Sequence, residues 1–188
     1  MKPEENYKRK SSRAPLFSEI LYNSEGYVFK AKAINISVGG LLIRDLPHIP
    51  NSELVDIMVE LPDYFDFQKI KTSTLKALKR EDLDGQTFRA KFKIVRSFEG
   101  MSEVDKIFEE YIGCGFSIVE EDGRDKILNY INKYKRNVVY LLHLFEHKSD
   151  DSLTRIRQIC RIFGYPYQES VSILRQKILH DYQSLESA

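Results

Sequence analysis

Residues 16–43 read LFSEILYNSEGYVFKAKAINISVGGLLI, and the fold turns on how this stretch is divided. Apolar and polar residues alternate through LFSEILY and again through VFKAKAINI, the period of two that belongs to a half-buried strand. Asn23-Ser24-Glu25-Gly26 separates the two runs with residues that favour turns. Gly39-Gly40 then breaks the second run from LLI. Two strands, a tight connection and a third strand within 28 residues indicate an antiparallel, turn-rich β architecture.

Working outward toward the C-terminus, LVDIMVEL (54–61) alternates imperfectly. Leu54, Ile57 or Val59, and Leu61 can share one face only with a twist or bulge. Asp84-Gly85 is the strongest short hairpin signal in the chain, and it predicts that FQKIKTSTLKALKRE (67–81) pairs with FRAKFKIVRSF (88–98). The second arm alternates cleanly, with Phe88, Ala90, Phe92 and Ile94 on one face and Arg89, Lys91 and Lys93 on the other. Ser102 as N-cap predicts a short helix through VDKIFEEY, followed by a last strand at GCGFSIVEE (113–121). The glycines of that strand allow a bend or a close backbone approach.

At Asp122 the period changes. Ile127, Ile131, Tyr134, Val138, Leu141 and Phe145 are spaced by alternating fours and threes, the seam of one long helix. Two amphipathic segments follow the Ser149–Ser152 loop: LTRIRQICRIF, stopped by Gly164 and Pro166, and YQESVSILRQKILHDY. The expected organisation is a basic, flexible arm at 1–14, a barrel with its helix at 15–135, and an all-helical extension at 136–188.

Charge is nearly balanced, 29 basic against 28 acidic residues, so any anion site must be local. The arm is the local exception: Lys2, Lys8, Arg9, Lys10 and Arg13 face only Glu4 and Glu5. No apolar run approaches the roughly 20 residues of a membrane span, and the N-terminal residues lack the apolar centre of a secretory leader. A cytoplasmic location is expected. Cys114 and Cys160 lie in apolar stretches outside any CxxC, which favours buried free thiols.

Two motifs carry the chemistry. Arg9-Lys10-Ser11-Ser12-Arg13 is an RxxxR, and Asn35-Ile36-Ser37-Val38-Gly39-Gly40 is an [DN]xSxxG, with 21 residues between Arg13 and Asn35. Each alone is commonplace, a solvated charge cluster and an Asx or Ser turn before glycine. In this order, followed by LLI and later by CGFSIVEEDGRDKILNYI, they resemble the PilZ family over residues 7–134. The resemblance implies a mainly β fold, a six-stranded antiparallel β-barrel followed by a long helix. The extension adds a small all-α unit. It also implies a receptor for cyclic di-GMP, with no catalytic residues, metal or further cofactor. Arg9, Arg13, Asn35, Ser37, Gly39 and Gly40 are then the ligand-binding residues. The residue types suit this ligand. An arginine fork fits a phosphate or the O6/N7 edge of guanine, and the Asn35 amide fits the N1/N2 edge. Gly40, with Gly39, lets backbone come close where a Cβ would collide. Asn35 stands where the family more often has Asp, which removes a charge from the guanine contact.

Other signals are weaker. His143 and His147, four apart on the long helix, have no evident third ligand, so no metal is expected. RIRQICRIFGYPYQESVSILRQKI resembles a helix-turn-helix, but residues 137–188 hold six basic and six acidic side chains, against the net positive face of a DNA reader. The extension is instead expected to form a homodimer or to dock an unidentified protein through Ile131, Tyr134, Val138, Leu141 and Phe145. A hairpin closed within one chain would cover the same seam. A ligand-free adaptor, and a DNA-binding protein using the C-terminal helices, are the rival functional readings.

Overall fold

The computed structural model describes residues 11–101, 108–147, 149–166 and 168–186, with backbone alone at 98–101, 108 and 109. The first two runs of alternation form β1 (Ala14–Ser24) and β2 (Tyr27–Ser37). Glu25 and Gly26 join them with positive φ at both positions, 54° and 82°. Two left-handed residues match the twist of a two-residue hairpin. After them come β3 (Gly40–Arg44), β4 (Val55–Pro62), β5 (Gly85–Met101) and β6 (Phe108–Val119). The order around the closed barrel is β1-β2-β3-β6-β5-β4, every pairing antiparallel, with Ile20 opposite Val59 completing the ring. Closure leaves no open sheet edge.

The alternation in β5 is as read, with Phe88, Ala90 and Phe92 buried inside. In β4 the phase differs from the sequence reading. Val55, Ile57, Val59 and Leu61 all point inward in strict alternation, while Leu54 stands outside the strand and is exposed. The period is perfect once Leu54 is left out, and no bulge is needed.

Two other expectations are corrected. Residues 67–83 form no strand, because β4 already pairs with β5 from Val55 opposite Phe92 to Pro62 opposite Gly85. The intervening segment loops out, closed at its base where the Asp63 amide donates to the Asp84 carbonyl at 2.7 Å. It contains a short helix, α1 (Thr72–Ala77), and buries Phe67 and Leu75 by turns instead of by pleat. Ser102, the expected helix cap, lies outside the described residues. Phe108–Tyr111, placed at that helix's end, instead belong to β6 and pair with Phe98–Met101. A partner strand there supplies backbone hydrogen bonds that an isolated short helix can hold only marginally.

The helical reading holds. α2 (Gly123–Glu146) runs unbroken, and all six seam residues from Ile127 to Phe145 are buried. α3 (Asp150–Phe163) starts at Ser149, whose Oγ accepts from the Ser152 amide, and stops at Gly164 with φ 99°. α4 (Val171–Glu186) completes the chain's described elements. Val138, Leu141 and Phe145 are covered by α3, α4 and the 63–84 insertion within the same chain. Ile156, Ile159, Phe163, Leu174 and Ile178 are buried with them. The seam therefore presents no apolar face to a second copy.

The insertion is stitched to the helices by polar groups. Asn137 of α2 accepts from the Phe67 amide (3.0 Å) and donates to the Phe65 carbonyl (2.8 Å). Arg155 of α3, itself buried, donates to the carbonyls of Phe67 (2.6 Å) and Ile70 (3.0 Å), to Thr72 Oγ1 and to the Tyr140 hydroxyl. Arg80 of the insertion donates to the carbonyls of Phe163 and Phe17, both at 2.7 Å. Cys114 and Cys160 are free and buried, and burial pushes both thiols up to about 12.

Between α2 and α4 lies a buried acid. Asp181 accepts from the hydroxyls of Tyr134 and Tyr165. Burial raises its pKa to about 7 against the lowering effect of the Tyr134 bond. Cys160 of α3 lies close enough to feel its charge, and His180 approaches its other oxygen at 3.8 Å.

Two stability measurements check this packing. Arg155→Ala removes four hydrogen bonds, one of them to the buried Phe67 carbonyl, and is expected to lower unfolding free energy by about 2–4 kcal/mol, read from a shifted denaturant midpoint. Asp181 holds a proton in the folded chain from about pH 4 to pH 7 that the unfolded chain releases, so its contribution to stability is full below pH 4 and declines as pH rises to 7. The wild-type advantage over Asp181→Asn should shrink across that window and level off above it. An advantage constant with pH would refute the assignment.

Candidate functional site

The end of β2 sets the site. Asn35 pairs with Pro15 on one side and Leu42 on the other, leaving its side chain half-buried at the strand end. Val38 and Gly39 form the turn, and Ser37 pairs with Gly40 across it. The Ser37 hydroxyl is buried and donates to the Gly40 carbonyl at 3.2 Å, so it braces the turn.

Gly40 is required by close approach. It faces Gly115 of β6, and a Cβ built on it would lie 2.0 Å from the Cys114 carbonyl oxygen. The Phe116 amide donates to the Gly39 carbonyl at 3.0 Å, which binds the turn down onto β6. Gly39 is different. It is exposed, and a Cβ there would meet only Ser37 Oγ at 3.9 Å and Ser11 Oγ at 4.0 Å.

That last distance brings the two motifs together. Ser11 reaches the turn, Ala14 pairs with Ile36, and Arg13 enters β1 half-buried immediately before that pair. Arg13, Asn35, Ser37, Gly39 and Gly40 thus cluster at one corner of the barrel. Arg9 lies outside the described residues. Sequence reasoning missed two neighbours. Ser11 sits inside the RxxxR, where only the arginines drew attention. Val95 is the extra residue of a β-bulge between Ile94 and Arg96, 64% exposed, with its Cγ2 3.1 Å from where a Cβ of Gly115 would stand. No local signal marks a bulge in an otherwise clean alternation.

The corner combines a guanidinium, an amide and two hydroxyls around a short strip of bare backbone at Gly39, with Gly40 buried against β6 beneath it. Such a strip admits a flat ring or an anionic group to the sheet surface, with a cation at its margin. The other candidate sites fare worse. Among the described residues no three His, Cys, Asp or Glu side chains are placed to hold a metal, and His147 Nδ1 contacts the His143 carbonyl at 2.9 Å. Three of the basic residues of the helix-turn-helix reading have partners within the chain. Arg155 is buried on carbonyls, Arg175 pairs with Glu146 at 2.9 Å, and Lys177 pairs with Glu169 at 2.5 Å. No helix among the described residues is long and apolar enough to cross a membrane.

The family model described as PilZ domain matches residues 7–133. No curated protein matches the sequence. Among solved structures, the fold is similar to the inhibitor of motility MotI/DgrA of Bacillus subtilis, at 13% identity and a TM-score of 0.50. That match covers 73% of this chain and 57% of the Bacillus chain, so this chain spans little more than half of that protein. The PilZ domain of YcgR from Escherichia coli with c-di-GMP aligns at 12% identity and a TM-score of 0.43, covering 71% of this chain and 95% of that one. The K. pneumonia MrkH–c-di-GMP complex aligns at 13% and 0.37, covering 75% and 54%.

The two glycines of the turn should behave oppositely on substitution. Gly40→Ala drives a methyl into the Cys114 carbonyl and is expected to cost about 2 kcal/mol or more as β3 and β6 separate. Gly39→Ala should leave stability within about 0.5 kcal/mol. Equal denaturant midpoints for the two variants would contradict the described turn.

Proposed function

The chain belongs to the PilZ domain family, and on that premise we propose that it is a receptor for cyclic di-GMP, a binding protein without catalysis, acting in the cytoplasm. The observation that carries this reading is the meeting of Ser11–Arg13 with the Ser37–Gly40 turn at one corner of the barrel. Two segments that supply complementary chemistry are otherwise separated by 23 residues of chain.

The division of labour follows from the groups present. Arg13, with Arg9 ahead of it, meets the two phosphates or the O6/N7 edge of a guanine, where a planar fork makes paired bonds. Asn35 offers an amide oxygen to guanine N1–H or N2–H. Ser37 acts through the turn it braces. Gly39 keeps the turn surface open to the ligand, Gly40 lets the turn lie close on β6, and Val95 lends an exposed apolar side chain beside it. Binding at this corner alters the surface that a downstream protein reads. The helical extension, 136–188, is the element available to that partner.

Calorimetric titration of the full chain with cyclic di-GMP tests the reading directly. Arg13→Ala and Arg9→Ala are each expected to weaken binding about ten- to a hundredfold, the loss of one charge-assisted contact. Cyclic di-AMP should bind more weakly than cyclic di-GMP, because adenine reverses the groups that arginine and Asn35 address. No heat with the wild-type chain would leave the ligand-free adaptor, acting by its surfaces alone, in its place.

A further inference from the structure

Ser12 lies between the two arginines of the RxxxR, and its hydroxyl donates to the Leu185 carbonyl at 2.8 Å across 173 residues of sequence. Leu185 belongs to the last turn of α4 and its side chain is buried. The next residue, Glu186, pairs with Lys135 of α2 at 2.5 Å. The segment that carries the ligand arginines is therefore fastened to the C-terminal end of a helix.

The electrostatics of that end have a definite sign. The last four carbonyls of a helix have no helical partner and together amount to roughly half a negative charge. Basic residues commonly offset this, but the last turn of α4 contains none, and the nearby Lys135 is matched by Glu186, so the carbonyl end keeps its negative sign. An anionic helix end and a ligand with two phosphates are thus directed at the same short stretch, Ser11–Arg13. Like charges at such distances oppose one another.

α4 is also the helix best suited to yield. Its buried stripe is Leu174, Ile178, Asp181 and Leu185, so one of four anchors is a carboxylic acid held out of water. α2, by contrast, buries ten residues, and α3 eight. Elements with few apolar anchors open at lower free energy than the core around them.

We propose that the last turn of α4 is an autoinhibitory contact on the ligand site: it holds the arm through the Leu185 carbonyl in the free protein, with Glu186 pinning the helix end to Lys135 of α2, and cyclic di-GMP displaces it. This rests on the receptor reading above. Ligand binding and α4 docking then oppose each other. Occupancy at the barrel corner appears as a loosened C-terminal helix, a signal that a protein partner can read.

The test uses the full chain, titrated with cyclic di-GMP by calorimetry and followed by hydrogen–deuterium exchange with and without ligand. Ser12→Ala and Glu186→Gln, both surface changes that leave the core intact, should each tighten binding about two- to tenfold, the range of one lost hydrogen bond or charge contact. Ligand should speed amide exchange at 182–186 and leave the middle of α2 unchanged. If the wild-type chain binds but both variants bind equally or more weakly, the autoinhibitory contact is refuted and the receptor reading stands. Exchange at 182–186 that ligand slows or leaves alone refutes it as well. Absence of binding by the wild-type chain brings down both.

Discussion

The carbonyl of Pro15 accepts the Tyr130 hydroxyl at 2.5 Å, while Pro15 itself pairs with Asn35 of the neighbouring strand. This bond holds the start of β1 between the barrel and the helical layer, and the contacts around it extend the same constraint. Ser12 is bound to α4, the Phe17 carbonyl to Arg80 of the insertion, and the Phe17 ring stands edge-on to Tyr165 at 5.8 Å. A strand start with one partner would be free to fray. Here it is shared by every layer of the molecule, so the corner that gathers Arg13, Asn35 and the glycine turn is mechanically joined to the helices.

Beside the apolar core, the helices are joined to the 63–84 insertion through its backbone groups. The 63–84 insertion leaves the ladder between β4 and β5, and its carbonyls would be buried unpaired without outside donors. Arg155, Asn137 and Gln158 supply those donors from α2 and α3, the last by donating to the Leu78 carbonyl at 2.8 Å. Arginine serves well here because one fork reaches several oxygens at once. Beneath these bonds Tyr64, Phe67, Tyr134 and Phe163 pack with ring centroids 4.5 to 6.4 Å apart, an aromatic core that belongs equally to insertion and extension. This arrangement explains why the α2 seam is closed within the chain.

Much of the architecture was legible from period alone. Alternation located four of the six strands, glycines and position marked β3 and β6, and the fours and threes after Asp122 located α2 to within two residues of its end. The failures have a common origin. Residues 67–83 contain enough apolar side chains to imitate a strand, and 104–111 enough to imitate a helix, yet each outcome was decided by whether a partner strand was available. Leu54 misled for a related reason, since a phase can be read from either of two adjacent apolar residues until one of them is known to leave the strand.

The candidate site divides along the same line. Arg13, Asn35, Ser37 and the two glycines were legible because turn chemistry and charge are local properties, written in the residues that bear them. Ser37's engagement with the Gly40 carbonyl, Val95's position at a bulge and Ser11's approach to Gly39 were not, because each depends on which strand lies alongside. The sequence by itself determined where the chain bends, which stretches are pleated or helical, and which side chains can address a phosphate or a guanine. Only the tertiary structure decided that α2's seam is covered from within and that the end of α4 reaches the arginine arm. Periodicity reports what a segment must bury but not against what, and a contact across 173 residues leaves no trace in either segment alone.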